Sequence, residues 1–325
     1  MNEISKKDYL EDVLFSYAMP HVKEQTDAYK AAAERLMGAV KEHYGDKVIK
    51  TFKSGSIAKH TAVNTKFDID FVIAFKRDSF CTLQEMSDDV YEFLEQYRKE
   101  NIDIIDSYVQ KQKVSIGFTY RYFDNGVQKE IPIDVVPGRE LQQDDYQETG
   151  NLNLFFRETT WGFLSNEGSR QKTNIEAQSA NICGKKDERK IIRLLKVWKK
   201  NNQKHVKSFV LELFTLKAME DYDGSRDIWS MIQHVLQYIR DHATDTSCHL
   251  IDPGNTNNDV LTRMESADRS SLKSEMDNLL RQIDNWPEYI KVAFPENKAF
   301  KRKKEAYGMR TGTQVPLPPT GKRFG

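Results

Sequence analysis

The sequence predicts a mixed α/β protein of two lobes, and three observations carry that prediction. Segments with the β-branched and aromatic content of strands fall in the first half of the chain. From about residue 151 helical periodicity takes over. The 325 residues are about twice an ordinary domain, enough for two packed units that each bury a core.

From the N-terminus, residues 5–45 are rich in helix formers, with Tyr29, Ala33, Leu36, Met37 and Val40 on one face, and Pro20 is expected to divide the region into two helices. VIKTF (48–52) and IDFVIAF (69–75) read as strands, with Gly55 in the turn after the first. Thr82 and Glu85 have the spacing of a capping box, opening a helix to about Arg98 with Met86, Val90 and Leu94 inward. KVSIGFTYRYF (113–123) and EIPIDVVP (130–137), separated by Asp124-Asn125-Gly126, form a hairpin pattern. Farther on, Ile191, Leu194, Leu195 and Trp198 make one apolar helical stripe, and Trp229, Ile232, Val235, Leu236 and Ile239 another. Residues 300–325 carry Gly, Pro and basic side chains without a hydrophobic period and read as a poorly ordered tail.

Composition narrows the function. With 49 basic and 49 acidic residues the chain as a whole has no charge that would draw it to nucleic acid or a membrane. Cys81, Cys183 and Cys248 are too scattered for a disulfide framework or a zinc cluster, and the histidines show no ligand spacing, so no structural zinc is expected. No secretory h-region opens the chain and no run of about 18 apolar residues appears, which points to a cytoplasmic protein with no membrane contact.

The chemistry is concentrated in SGSIAKHTAVNTKFDID (54–70). On a strand, side chains two apart share a face, so Asp68 and Asp70 present both carboxylates together while Ile69 and Phe71 enter the core. Like charges side by side call for a cation, and Mg²⁺ takes oxygen ligands that it shares with substrate phosphates. Asp134, facing away from Ile131, Ile133 and Val135, supplies a third carboxylate; three such groups suit two metals about 4 Å apart, an arrangement used for in-line phosphoryl displacement. Gly55 permits close backbone approach and Ser56 adds a hydroxyl donor, so the turn is suited to a triphosphate.

Gly-Ser, eleven residues, Asp-x-Asp and a later strand aspartate resemble the DNA polymerase β-like nucleotidyltransferase superfamily. Within it the chain resembles the CD-NTase group, similar to cyclic GMP-AMP synthase and oligoadenylate synthetase, in RLLKVWKK (193–200), KSFVLELFTLKAME (207–220) and IDPGNTNNDV (251–260). The likeness spans roughly residues 45–260.

The resemblance implies a nucleotidyltransferase core with a mixed sheet over 46–150, a C-terminal helical lobe over 151–295, N-terminal helices (1–45) packing on both, and a flexible basic tail over 296–325. It implies that Asp68 and Asp70 bind two Mg²⁺ ions, for which Mn²⁺ can substitute, and that Asp134 completes the metal that activates the attacking hydroxyl. Gly55 and Ser56 would grip the donor triphosphate, with Lys196 and Ser208 as phosphate ligands. Phe209, where relatives usually carry tyrosine, would stack on the base. Ser208 also reads as a helix N-cap, Phe209 as core, and Lys199, Lys200, Lys204 and Lys207 as a solvated face. The implied activity is joining of NTPs, ATP among them, with release of pyrophosphate, into a cyclic di- or trinucleotide second messenger for antiphage (CBASS) defence. Linear oligonucleotide synthesis and a catalytically inactive nucleotide-binding module are the alternatives. The neutral charge balance and the missing zinc insertion argue against a nucleic-acid activator. Gly325 resembles the small terminal residue of some bacterial relatives that a ubiquitin-like ligase conjugates, which makes the tail a candidate regulatory contact.

Overall fold

The computed structural model describes residues 5–65, 67–101, 107–124, 126–160 and 163–302. Asn125, the tail from 303 onward and Gly325 lie outside the described residues.

Helix α1 (Lys6–Ser16) is capped by Ser5, whose hydroxyl accepts from the Asp8 amide. A 3₁₀ turn, Met19–Val22, carries Pro20 in its first turn and separates α1 from α2 (Lys23–Tyr44), as Pro20 predicted. The two helices serve different cores. Leu10 and Val13 of α1 pack with the C-terminal helices, whereas Tyr29, Ala33, Leu36 and Val40 of α2 pack on the sheet.

The chain then runs through β1 (Val48–Ser54), the single turn α3 (Gly55–Ala58), β2 (Ile69–Phe75), α4 (Leu83–Glu100), β3 (Tyr108–Lys111), β4 (Ile116–Asp124) and β5 (Val127–Glu140). The Thr82/Glu85 capping box forms in full, and Met86, Val90 and Leu94 are buried. In the hairpin, pairing runs to Asp124 opposite Val127, so the loop is one residue tighter than the sequence spacing suggested. Strand order is β1-β2-β5-β4-β3, antiparallel except for the parallel β2–β5 pair.

The sheet does not end at residue 150. After α5 (Tyr146–Thr149), strands β6 (Leu152–Thr160) and β7 (Phe163–Thr173) form a ribbon, with β6 paired to the end of β5 at Gly138–Glu140. This corrects the expectation that long helices begin near 151. They begin after α6 (Ile175–Ala180), with α7 (Lys186–Asn201), α8 (Ser208–Met219) and α9 (Ile228–His242). A small hairpin, β8 (Ile251–Asp252) and β9 (Asn255–Asp259), precedes α10 (Ser266–Asn285) and α11 (Ile290–Ala293).

Helix α8 is apolar around nearly its whole circumference and accordingly lies inside the helical core. Among the described residues the two largest cores lie under the sheet and among the helices, with a smaller cluster on the second face of the sheet, and the segment from α3 to β2 runs between the two large ones. Among the described residues no helix is long and apolar enough to cross a membrane.

Candidate active site

The site begins with a strand register. Asp70 on β2 stands opposite Asp134 on β5 in the parallel pair, and register partners on neighbouring strands, about 4.8 Å apart, point to the same face. Asp68 lies two residues earlier, just before β2. Across β1, Ser54 pairs with Asp70, which brings the Gly55 turn against the carboxylates. Gly55 has φ +69°, and a Cβ there would fall 1.7 Å from Asp70 Oδ2, so both the backbone conformation and the space require glycine.

Asp70 is mostly buried. Burial, followed by the charges of Asp68 and Asp134, raises its pKa to about 7, with Lys196 and Lys59 pulling the other way. The nearby cations thus leave part of the negative charge uncompensated. Partly buried carboxylate oxygens are the hard donor set that a divalent cation takes, so Asp68, Asp70 and Asp134 fit such an ion chemically. As they stand, the three side chains are not drawn into one ligand cage: among the described residues no three His, Cys, Asp or Glu groups close tightly enough to hold an ion. Asp134 instead leans to Gln112, whose Nε2 donates to its Oδ1 at 3.0 Å.

Two cavities meet at Asp68. One, of about 610 Å³, is lined by Ser56, Asp68, Asp70, Lys196, Lys199 and Ser208, among others. The other, of about 350 Å³, is lined by Asp68, Asp134, Tyr29, Gln110, Gln112 and Thr119, among others. The carboxylates therefore stand between two spaces.

Lys196 enters the larger cavity from α7, where its Nζ donates to the carbonyl and hydroxyl oxygens of Thr61, each at 3.0 Å. Burial holds its pKa down at about 8; Glu212 and Asp68 oppose that shift, and Lys59 and Lys199 reinforce it. Ser208 is the first residue of α8, and its hydroxyl accepts from Lys199 Nζ at 3.2 Å. No side-chain cap closes that helix, so Ser208 is not the N-cap considered from the sequence.

Phe209 stands apart from this group. It packs against the helical core, and the Lys59 ammonium sits 5.2 Å above its ring. The expected solvated face holds for Lys200 and Lys207, which are exposed, and is corrected in part: Lys199, Lys200 and Lys204 line the larger cavity, and Lys200 of α7 reaches the Thr65 carbonyl in the segment after α3. Sequence reasoning did not single out Lys59, Glu212 or Gln112. Lys59 and Glu212 form a buried ion pair at 2.7 Å. A polar Glu212 inside an otherwise apolar helix was the one available signal.

This sheet, its Gly-Ser turn and the helical lobe behind it define a polymerase β-like nucleotidyltransferase fold. The chain is 24% identical over 280 residues to the CBASS oligonucleotide cyclase CdnC of Escherichia coli, covering 77% of this chain and 82% of that protein. Among solved structures, E. coli MS115-1 CdnC with ATP aligns with a TM-score of 0.61 at 18% identity over 86% of this chain and 94% of its own. The same cyclase in complex with HORMA-deltaN aligns at 0.60 and 18%, over 85% and 92%. Vibrio cholerae DncV cyclic AMP-GMP synthase aligns at 0.57 and 15%, over 78% and 70%. No family model matches. The chain is thus similar in sequence to CdnC and shares the fold of the CdnC and DncV cyclases.

Proposed function

We propose that this chain joins NTPs, releasing pyrophosphate, into a cyclic di- or trinucleotide that signals in CBASS defence. The observation that carries the proposal is the register pair Asp70–Asp134, with Asp68 beside it, standing between two cavities and against the Gly55 turn. A reaction between two nucleotides needs such a geometry: a donor on one side, an acceptor on the other, and negative oxygens where charge must be neutralised.

In this reading the larger cavity takes the donor. The ammonium of Lys196 and the hydroxyls of Ser56 and Ser208 hold its phosphates, and Lys199 and Lys200 add positive charge at the rim. Asp68, Asp70 and Asp134 would hold two Mg²⁺ ions, which when bound supply Lewis acidity toward the α-phosphate and the acceptor hydroxyl. The smaller cavity takes the acceptor, whose ribose hydroxyl Asp134 orients toward the donor. The chain provides alignment and charge, and no side-chain nucleophile is needed. The E. coli relative is solved in complex with HORMA-deltaN, so a regulatory protein partner belongs to the proposal.

The test is to incubate the purified chain with labelled NTP mixtures and Mg²⁺, treat with phosphatase, and identify what resists by mass spectrometry. A resistant product without free ends is expected; a ladder with free ends points to linear synthesis instead. Changing Asp68 and Asp70 together to alanine removes several kcal/mol of charge stabilisation and should lower turnover by about 10³-fold or more while the protein stays folded. A double variant that turns over normally sinks the assignment.

A further inference from the structure

Asp134 differs from its two companions in being held by a neutral side chain whose own orientation is fixed. In the turn between β3 and β4, the Gln112 amide donates through Nε2 to Asp134 Oδ1 at 3.0 Å, while its Oε1 accepts from the Ser115 hydroxyl at 2.6 Å. An ionised carboxylate only accepts, so the nitrogen end must face Asp134, and the oxygen end is left for the Ser115 hydroxyl, which can donate to it. The turn is closed by the Gln112 amide donating to the Ser115 carbonyl at 2.9 Å.

Behind the turn stands Arg157, a fully buried guanidinium on β6. It donates to the Gln112 carbonyl at 3.1 Å and to the Ser87 hydroxyl at 2.6 Å, with Asp88 of α4 at 3.5 Å as counter-charge. Its backbone amide also donates to the Lys113 carbonyl at 2.7 Å. Room for the amide comes from Gly117, the register partner of Asp134, where a Cβ would lie 2.6 Å from Gln112 Nε2.

We infer that Gln112 is a positioning residue, which fixes the rotamer of Asp134 so that its other oxygen faces Asp70 and the reacting groups, with Arg157 anchoring the turn that carries it. The inference rests on the proposed nucleotidyl transfer. Groups that orient a carboxylate toward a cation typically account for a 10–100-fold effect on cation affinity or rate.

The experiment combines three variants with two readouts: steady-state kinetics, and Mn²⁺ binding by electron paramagnetic resonance in the presence of a non-hydrolysable NTP. Gln112→Ala should lower kcat and weaken Mn²⁺ binding, each by about 10–100-fold, with the KM of the donor nucleotide, bound in the other cavity, unchanged. Gly117→Ala should push the amide aside and act in the same direction, since only the end of a flexible side chain has to move. The double variant should be no worse than Gln112→Ala alone, because both changes remove one interaction. Should Gln112→Ala melt early, Gly117→Ala, which keeps the glutamine, carries the test. Normal kcat and normal Mn²⁺ affinity in either well-folded variant overturns the inference, as do effects that simply multiply in the double variant. A wild-type chain that makes no product from any NTP mixture refutes the proposed function instead, and the Mn²⁺ arm still reads the role of Gln112.

Discussion

At the scale of single residues, the cleft places a lysine where it is least comfortable. Lys196 keeps a pKa of about 8 because burial opposes its charge, and it is charged in the free protein only below that value. A phosphate-binding role needs the ammonium, so rising pH removes the interaction. Above pH 8, kcat/KM for the NTP should fall by up to tenfold per pH unit, since this ratio reports the free enzyme. A Lys196→Arg variant, charged throughout, should show no fall there. A pH profile on both proteins decides it; identical declines would mean that Lys196 is not the titrating group. Asp70 illustrates the same tension with opposite sign, held near 7 by burial and its acidic neighbours. Both strained charges lie in the one cleft, as expected where charge is kept for a ligand rather than for stability.

At the scale of elements, the starts of α1, α4, α6 and α9 are set locally by side-chain caps and can be tested locally. Asp227 caps α9, its Oδ1 accepting from the amides of Trp229 and Ser230 at 3.0 Å each while Oδ2 accepts from the Ser225 and Ser230 hydroxyls. Partial burial works against the charge, but the hydrogen bonds from Ser230, Ser225 and Trp229 outweigh it and hold the pKa at about 2. A depressed carboxylate stabilises the fold above its ordinary range and loses that contribution as pH falls toward 2. Asp227→Ala should cost about 0.5–2 kcal/mol at neutral pH, with the gap to wild type closing between pH 4 and about 2 in denaturant titrations. Such caps, like the Thr82/Glu85 box and Pro20, are written in short stretches, which is why α2, α4 and β2 were legible in the sequence. The β6–β7 ribbon was not. FLSNEGSRQKT has no β-branched run, and its strand state comes from pairing with β6, whose Leu152 and Leu154 alone reach the second sheet face beside Val72 and Ala74. The carboxylates were legible because a period of two fixes their shared face. Of the lysines of α7 the resemblance named Lys196, but the cleft position of Lys199 and Lys200 was not legible, because periodicity names a face but not what lies 135 residues away against it, as Thr65 does against Lys200.

At the scale of the whole molecule, the segment between α3 and β2 is bolted to four distant parts of the chain. Asn64 donates to the Ser16 and Ala18 carbonyls after α1 and accepts from Asn297 near the end of the described chain. Lys196 and Lys200 hold Thr61 and Thr65 from α7. Lys59 crosses to Glu212 inside α8, with side chains only 10% and 7% exposed. That last bond joins the sheet core to the helical core, and its energetics have a distinctive signature. Removing one partner strands a buried charge and should cost about 3–5 kcal/mol, whereas replacing both with apolar residues of similar size should restore most of it. Lys59→Met and Glu212→Leu should therefore each lower the unfolding free energy sharply, and the double variant should lie well above either. Because Lys59 also offsets the charge on Asp70, the restored double variant should still be impaired in turnover. Two singles that each cost little, with an additive double, would show that this ion pair does not fasten the lobes together. A stable but slow double variant would instead separate the two tasks of the pair, fastening the lobes together and tempering the carboxylates between them.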